Sequence, residues 1–232
     1  MAKKHKEEWK IYKNVFDSAT LLNLHKLSSR GHFDELASPV ALGKEANIFI
    51  ALKDRQKIIV KIYRVENCNF NKMYKYIAPD PRFASMKKRR RLVIFSWVQR
   101  EYRNLLKARE VIRVPTPIAV KDNILIMEFI GRKEPAPLLK NMPPKDPGQF
   151  FKKIIDNIKA LYKLGLVHAD LSEFNILNIE EEPVFIDFSQ ATVVEHPEAK
   201  DFLKRDIGNI VKHFGKMGLK LDGEKVYNKI VG

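Results

Sequence analysis

Apolar residues recur along this chain with two different periods, and the switches between them mark its elements. Val15, Phe16, Ala19, Leu22 and Leu27 fall in rough helical register and predict an N-terminal helix over Val15 to Leu27, behind a charged stretch at 1–10 expected to fray. Asn47 to Lys53 and Lys57 to Tyr63 are β-branched and apolar around Asp54, Arg55 and Gln56, which predicts a hairpin. From Leu92 to Ala108 the residues Ile94, Val98, Tyr102 and Leu105 return to a helical stripe. Ile124 to Ile130 predicts a buried strand running into a hinge that ends at Gly131. Asp146 then caps a helix with Pro147 in its first turn, a stripe through Phe151, Ile154, Ile155, Ile158 and Leu161, and Gly165 at its end. Between Tyr63 and about Lys88 no period is sustained, and the abundance of Asn, Pro and charge predicts a mobile insertion.

Several polar residues sit where these patterns call for apolar ones. Glu101 stands three residues after Val98 and four before Leu105, on the inward stripe of its helix, and a carboxylate placed there needs a cation. Lys61, in Ile-Ile-Val-Lys-Ile, is the candidate, at the position of the strand lysine that contacts nucleotide phosphates in kinases. Gly43, Lys44 and Glu45 lie just before the first strand of the hairpin, where a phosphate-covering loop belongs. Met127, Glu128, Phe129 and Ile130 would line the hinge, whose backbone groups can bind an adenine edge.

Beyond the capped helix the chain reads Leu-Val-His168-Ala-Asp170-Leu-Ser-Glu-Phe-Asn175-Ile-Leu, and then Val-Phe-Ile-Asp187-Phe. His168 alone would be a packed structural histidine, and Asn175 or Asp187 alone a turn residue. Their fixed spacing between strand-like apolar flanks makes a phosphoryl-transfer skeleton instead, with one Asp orienting the attacking hydroxyl. Asn175 and Asp187 are then the metal ligands, because Mg²⁺ takes hard oxygen donors from an amide carbonyl and a carboxylate.

Composition narrows the partners. At 232 residues and 45% hydrophobic content the chain can bury a full core, as one domain of two lobes or as two small domains. The net charge of +15 and pI near 9.7 favour a polyanionic partner over an acidic small substrate. Much of that charge falls between Arg82 and Lys107, where nine basic residues meet a single acidic one, Glu101. A single cysteine, Cys68, excludes an internal disulfide framework and a Cys-rich zinc site, and fits a reducing compartment. No apolar run approaches the ~20 residues needed to cross a bilayer, and the start lacks a segment of signal-peptide type, so a soluble cytoplasmic protein with no membrane partner is expected.

Four ordered motifs carry a resemblance: Gly43 to Asn47, His168 to Asn175, Ile186 to Gln190 and His196 to Asp206 together resemble the RIO kinases, of the Rio1 branch and a compact archaeal type, from about Ser38 to Phe214. The Rio2 branch carries a winged-helix domain, for which the stretch before Gly43 leaves too little room. The resemblance implies an α+β, two-lobed protein-kinase-like fold with an antiparallel sheet plus helix in the N-lobe and a reduced, mainly helical C-lobe. The boundaries expected are an N-lobe over 1–126 with the insertion near 64–88, a hinge over 127–131, and a C-lobe over 132–232. It further implies ATP as the nucleotide, Mg²⁺ or Mn²⁺, and a role with the small ribosomal subunit precursor and its rRNA, reached through the basic Lys87–Arg91 region. Carried onto this chain, Lys61 is the phosphate-contacting lysine with Glu101 its partner, Asp170 the catalytic aspartate, and Asn175 and Asp187 the metal ligands. Ala41-Leu42-Gly43 replaces the family's usual Ser-Thr-Gly, so a hydroxyl contact to the nucleotide is absent there. Too little chain follows Asp187 for a peptide-docking subdomain, so ATP hydrolysis stands beside protein phosphorylation, and autophosphorylation at Ser85 is possible. Two other readings stay open: a small-molecule phosphotransferase of the aminoglycoside-kinase type, and an RNA-binding scaffold with a nucleotide switch.

Overall fold

The structure, a computed structural model, describes residues 16–83 and 87–232. Val15, the charged start at 1–10 and Ser85 lie outside the described residues. Helix α1 (Ser18–Ser29) begins where Asp17 accepts a hydrogen bond from the Thr20 amide at 2.6 Å. Its buried face is Thr20, Asn23, Leu24 and Leu27, whereas Ala19 and Leu22, both expected inside, are exposed. Two polar residues take their places because the turn before the last sheet strand satisfies them. Asn23 donates to Asp122 and Thr20 accepts from Asn123, each at 2.9 Å. An apolar count cannot register such a pairing.

The predicted hairpin forms as β2 (Ala46–Lys53) and β3 (Gln56–Tyr63), turning through Asp54 and Arg55 at φ of 49° and 65°. It lies inside a five-stranded antiparallel sheet of order β1-β2-β3-β5-β4, with β1 Glu35–Leu42, β4 Pro117–Lys121 and β5 Ile124–Glu128. The edge strand β1 escapes a period-two reading because Pro39 and two register shifts break its pattern. Gly43 to Glu45 therefore form the β1–β2 turn and do not precede the first strand of the sheet. One face of the sheet packs on α1 through Phe49, Ile58, Val60, Ile62, Ile124 and Ile126. The other face turns toward the rest of the protein.

Between β3 and the glutamate helix, where the sequence predicts an insertion without sustained structure, the chain forms α2 (Phe70–Ile77) and a 3₁₀ turn at Pro81–Phe83. Met73 and Ile77 are the buried residues of α2, and the Lys, Asn and Tyr residues around them hide that short stripe from a periodicity count. Helix α3 (Arg90–Ala108) follows, then β4 and β5, then α4 (Pro147–Lys163), capped by Asp146 through the Gln149 amide at 2.9 Å as its sequence predicts. Strands β6 (Leu166–Val167) and β9 (Thr192–Val193) pair with each other, as do β7 (Ile176–Ile179) and β8 (Glu182–Phe185), and α5 (Ala199–Gly215) and α6 (Gly223–Val231) complete the helical lobe. The main core runs without a break from α2 and α3 through α4 and the strand pairs into α5.

Candidate active site

Period-two alternation in β3 gives Ile58, Val60 and Ile62 to α1 and leaves Ile59, Lys61 and Tyr63 on the opposite face, against the main core. Lys61 is 6% exposed there. Its ammonium donates to Glu101 Oε1 at 2.7 Å and to Asp187 Oδ1 at 3.1 Å, so one cation joins the sheet, α3 and the loop after β8. Glu101 Oε2 accepts from the Tyr63 hydroxyl at 2.6 Å. Both carboxylate oxygens are thus occupied, which fixes the direction from which Lys61 is held.

The two paired strands set the two loops that face Lys61. His168 to Asn175 connect β6 to β7, and Asp187 to Ala191 connect β8 to β9. His168 is buried and neutral, its pKa pushed down to about 4 by burial, and its Nε2 meets the Ile186 carbonyl at 3.0 Å. That contact joins the loops immediately before Asp170 and Asp187. Ala169 and Asp187 both take left-handed backbone, at φ of 63° and 62°, a strained state for residues with a Cβ. Asp206 of α5 holds the first of these by accepting the Ala169 and Leu171 amides at 2.8 and 2.9 Å, while Arg205 donates to the Ala169 carbonyl.

The Asp170 carboxylate faces the same space. Gln190 Nε2 donates to its Oδ2 at 2.8 Å, and the Asn175 amide donates to its backbone carbonyl at 2.8 Å. Burial, reinforced by the negative charge of Asp187, raises its pKa to about 6, against the pull of Lys72 and Arg205. Asp187 goes the other way. Burial would raise it, but the Lys61 charge and a 2.7 Å hydrogen bond from Ser189 hold it at about 2, so it is ionised throughout the physiological range. Burial opposes the Lys61 charge, yet Asp187 and Glu101 outweigh it and keep the amine protonated, while burial raises Glu101 against the pull of Lys61.

The donor set fits a divalent cation. Asn175 Nδ2 is spent on Asp170, and Asp187 Oδ1 on Lys61 and Ser189, whereas Asn175 Oδ1 and Asp187 Oδ2 accept no hydrogen bond among the described residues. One amide oxygen and one carboxylate oxygen, hard and open, suit an ion that completes its shell with phosphate and water. No cluster of three or more His, Cys, Asp or Glu forms an all-protein cage among the described residues.

The remaining expected residues divide. Gly43 is required by its turn, since a Cβ there would meet the Ala46 carbonyl oxygen at 2.8 Å, and the Glu45 carbonyl is tied to the Arg64 amide at 2.8 Å. Lys44 is exposed. Met127 and Ile130 are buried at the end of β5 and just after it. The Glu128 side chain is taken by Arg113 and by the Thr116 amide at 3.0 Å, so its carboxylate belongs to a structural pair. Arg100 and Arg82, counted with the basic surface in sequence, are engaged inside the protein's own contacts: Arg100 is fully buried, and the half-buried Arg82 grips Asp80. Sequence reasoning gave no role to Tyr63, Gln190, Asp206, Asp80 or Asn104. Gln190 and Asp206 lay within motifs already singled out, but their partners come from distant parts of the chain, and no spacing signals those contacts.

The RIO domain family model matches residues 47–226. The RIO-type serine/threonine-protein kinase Rio1 of Methanocaldococcus jannaschii is 43% identical over 99% of this chain and 80% of its own length. The protein of the same name from Haloferax volcanii is 37% identical over the whole of this chain and 81% of its own. Among solved structures, the Rio2 kinase–ADP/Mg²⁺–phosphoaspartate complex of Chaetomium thermophilum superposes with a TM-score of 0.68 at 22% identity, covering 90% of this chain and 65% of that one, which shows a shared kinase-like fold.

Proposed function

Because the chain belongs to the RIO domain family, we propose that it is an ATP-dependent atypical serine/threonine kinase that passes the γ-phosphoryl group of ATP to a hydroxyl and, with no protein acceptor bound, to water. The observation that carries this reading is the position of Lys61, 2.7 Å from Glu101 and 3.1 Å from Asp187, opposite a loop that presents Asp170 and Asn175. Lys61 holds the nucleotide phosphates, and Glu101 with Tyr63 keeps its ammonium aimed at them. Asp170, oriented by Gln190 and Asn175, accepts a hydrogen bond from the acceptor hydroxyl and aligns its oxygen for attack. A pKa near 6 leaves that carboxylate ionised at neutral pH and basic enough to take the proton as the oxygen–phosphorus bond forms. Asn175 and Asp187 would hold Mg²⁺ or Mn²⁺, which neutralises charge on the phosphates. The exposed Lys87–Arg91 segment supports rRNA of the small-subunit precursor as the partner.

Asp170→Asn and Asp187→Asn separate the two roles. ATP turnover and phosphoprotein formation by Asp170→Asn should fall by about 10²–10⁴ with Mg²⁺-dependent ATP binding retained. Asp187→Asn should instead lose the metal-dependent part of that binding. Identical binding defects in the two variants would overturn the assignment.

A further inference from the structure

The stretch from Phe188 to Ala191 links Asp187 to β9, and two side chains of α3 hold its backbone carbonyls. Asn104 Nδ2 donates to the carbonyls of Phe188 at 3.0 Å and Ala191 at 2.7 Å. Arg100 adds bonds to Ala191 at 3.1 Å and Gln190 at 3.3 Å. Both side chains are fully buried. Water therefore cannot replace these donors unless the loop moves.

The holders are themselves held from the insertion. Arg82 donates to Asn104 Oδ1 at 2.8 Å, which fixes the direction of that amide. Asp80, fully buried, receives Arg82 through two nitrogens at 2.9 and 2.7 Å and lies 3.4 Å from Arg100 Nε. It is the carboxylate that balances Arg100 among the described residues. Upstream, the insertion docks on the helical lobe, with Tyr76 stacked on Phe202 at 5.2 Å between ring centroids.

The loop at the far end of this chain of contacts carries the side chains that organise the catalytic carboxylates. Ser189 bonds Asp187, and Gln190 bonds Asp170. We propose that Asp80, Arg82, Arg100 and Asn104 are positioning residues which hold Phe188 to Ala191, and through them Asp187 and Asp170, in place only while the insertion is docked. The proposal rests on the phosphotransfer reading of that loop. From Asp80 to the loop carbonyls every link is a hydrogen bond or ion pair, so beyond the Tyr76–Phe202 docking contact the coupling requires no motion passed through apolar packing.

Asp80→Asn keeps the shape of the turn and removes its charge, and Asn104→Ala removes the direct hold on the loop. Hydrogen exchange of the nucleotide-free protein reads the effect without any chemistry. Both variants should speed exchange across 187–191 by about tenfold or more while leaving β3 and α4 as in wild type. In ATP turnover, each should lower kcat by about 10- to 100-fold and raise the KM for Mg²⁺, with metal-free ATP affinity kept within about twofold, since Lys61 and the hinge are untouched. A merely structural role lowers the active fraction and moves no KM. The double variant should lose no more than the worse single one, because both act on one chain of contacts. If Asp80→Asn loosens only residues 70–83 and leaves 187–191 protected, the proposal is overturned. If exchange behaves as stated but wild type turns over no ATP, the positioning chain stands and the phosphotransfer reading falls.

Discussion

Replacing Tyr63 by Phe isolates the hydroxyl that completes the Lys61–Glu101 pair. The ring stays, including its 5.1 Å approach to the Lys61 ammonium, and so does the 2.7 Å bond between Lys61 and Glu101 Oε1. Only the 2.6 Å donor to Glu101 Oε2 is lost, leaving a carboxylate oxygen unsatisfied in a side chain 1% exposed. A hydrogen bond to a charged buried group contributes roughly 1.5–3 kcal/mol. At about 2–4 °C per kcal/mol for a chain of this size, the melting temperature should drop by about 3–12 °C. The KM for ATP should change by less than about twofold, because the remaining oxygen still fixes Lys61. Burial already holds the Glu101 pKa above the usual carboxylate range, and loss of a donor that favours the charged form raises it further. The deficit is therefore complete above the variant's pKa and disappears as pH falls below that of wild type. Thermal melts across pH, with ATP kinetics alongside, test both parts. An unchanged melting temperature combined with a collapse in kcat would show that the phenol serves the reaction itself, and the account of a hydroxyl that merely braces Glu101 would fail.

Asp206, with a pKa raised to about 7 by burial against its two amide bonds, should make wild type lose stability as pH climbs from about 4 through 7, by up to ~4 kcal/mol at 1.36 kcal/mol per unit. Urea midpoints of Asp206→Asn should lack that slope, and parallel curves for the two proteins would refute the assignment. Replacing Lys87 to Arg91 with Ser or Gln should flatten the salt dependence of binding to small-subunit RNA. Arg90 reaches back to the carbonyls of Val65 and Cys68, and Lys88 lies 5.0 Å from the Tyr74 ring centroid, which leaves the exposed Lys87, Arg89 and Arg91 to meet phosphate. The log–log slope should then change by about two to three units, at 0.7–0.9 per phosphate, and an unchanged slope would identify the cluster as a solubilising face.

The skeleton of the site was legible because each of its members breaks a local pattern. Lys61 interrupts an apolar strand, Glu101 sits on the inward stripe of its helix, and His168, Asp170 and Asn175 keep a spacing that turn residues have no reason to keep. Helices α1, α3 and α4 and the hairpin followed from sustained periodicity, whereas α5 and α6 were not read from it. What stayed hidden depends on long-range pairing. Thr20 and Asn23 are inside because a turn some hundred residues away satisfies them. Arg100 read as one more surface cation because nothing near it in sequence announces Asp80 as a buried partner. Strand β1 was missed through Pro39, and α2 because its apolar stripe is too short to stand out from the polar residues between.

The sheet's two covered faces decide which half of the site can yield. Strand β3 is hydrogen-bonded along both edges, to β2 and β5, and packed on one side against α1 and on the other against the main core. Lys61 is anchored to backbone that cannot shift without breaking ladders and layers together, and its amide should be among the slowest in the protein to exchange. The loop bearing Asp187 has no such frame, being retained by the side chains of Arg100 and Asn104 rather than by a strand ladder. On the proposed function, nucleotides that differ in their phosphates would be told apart by how that loop refits around them, with the lysine acting as a stationary datum from which the fit is measured.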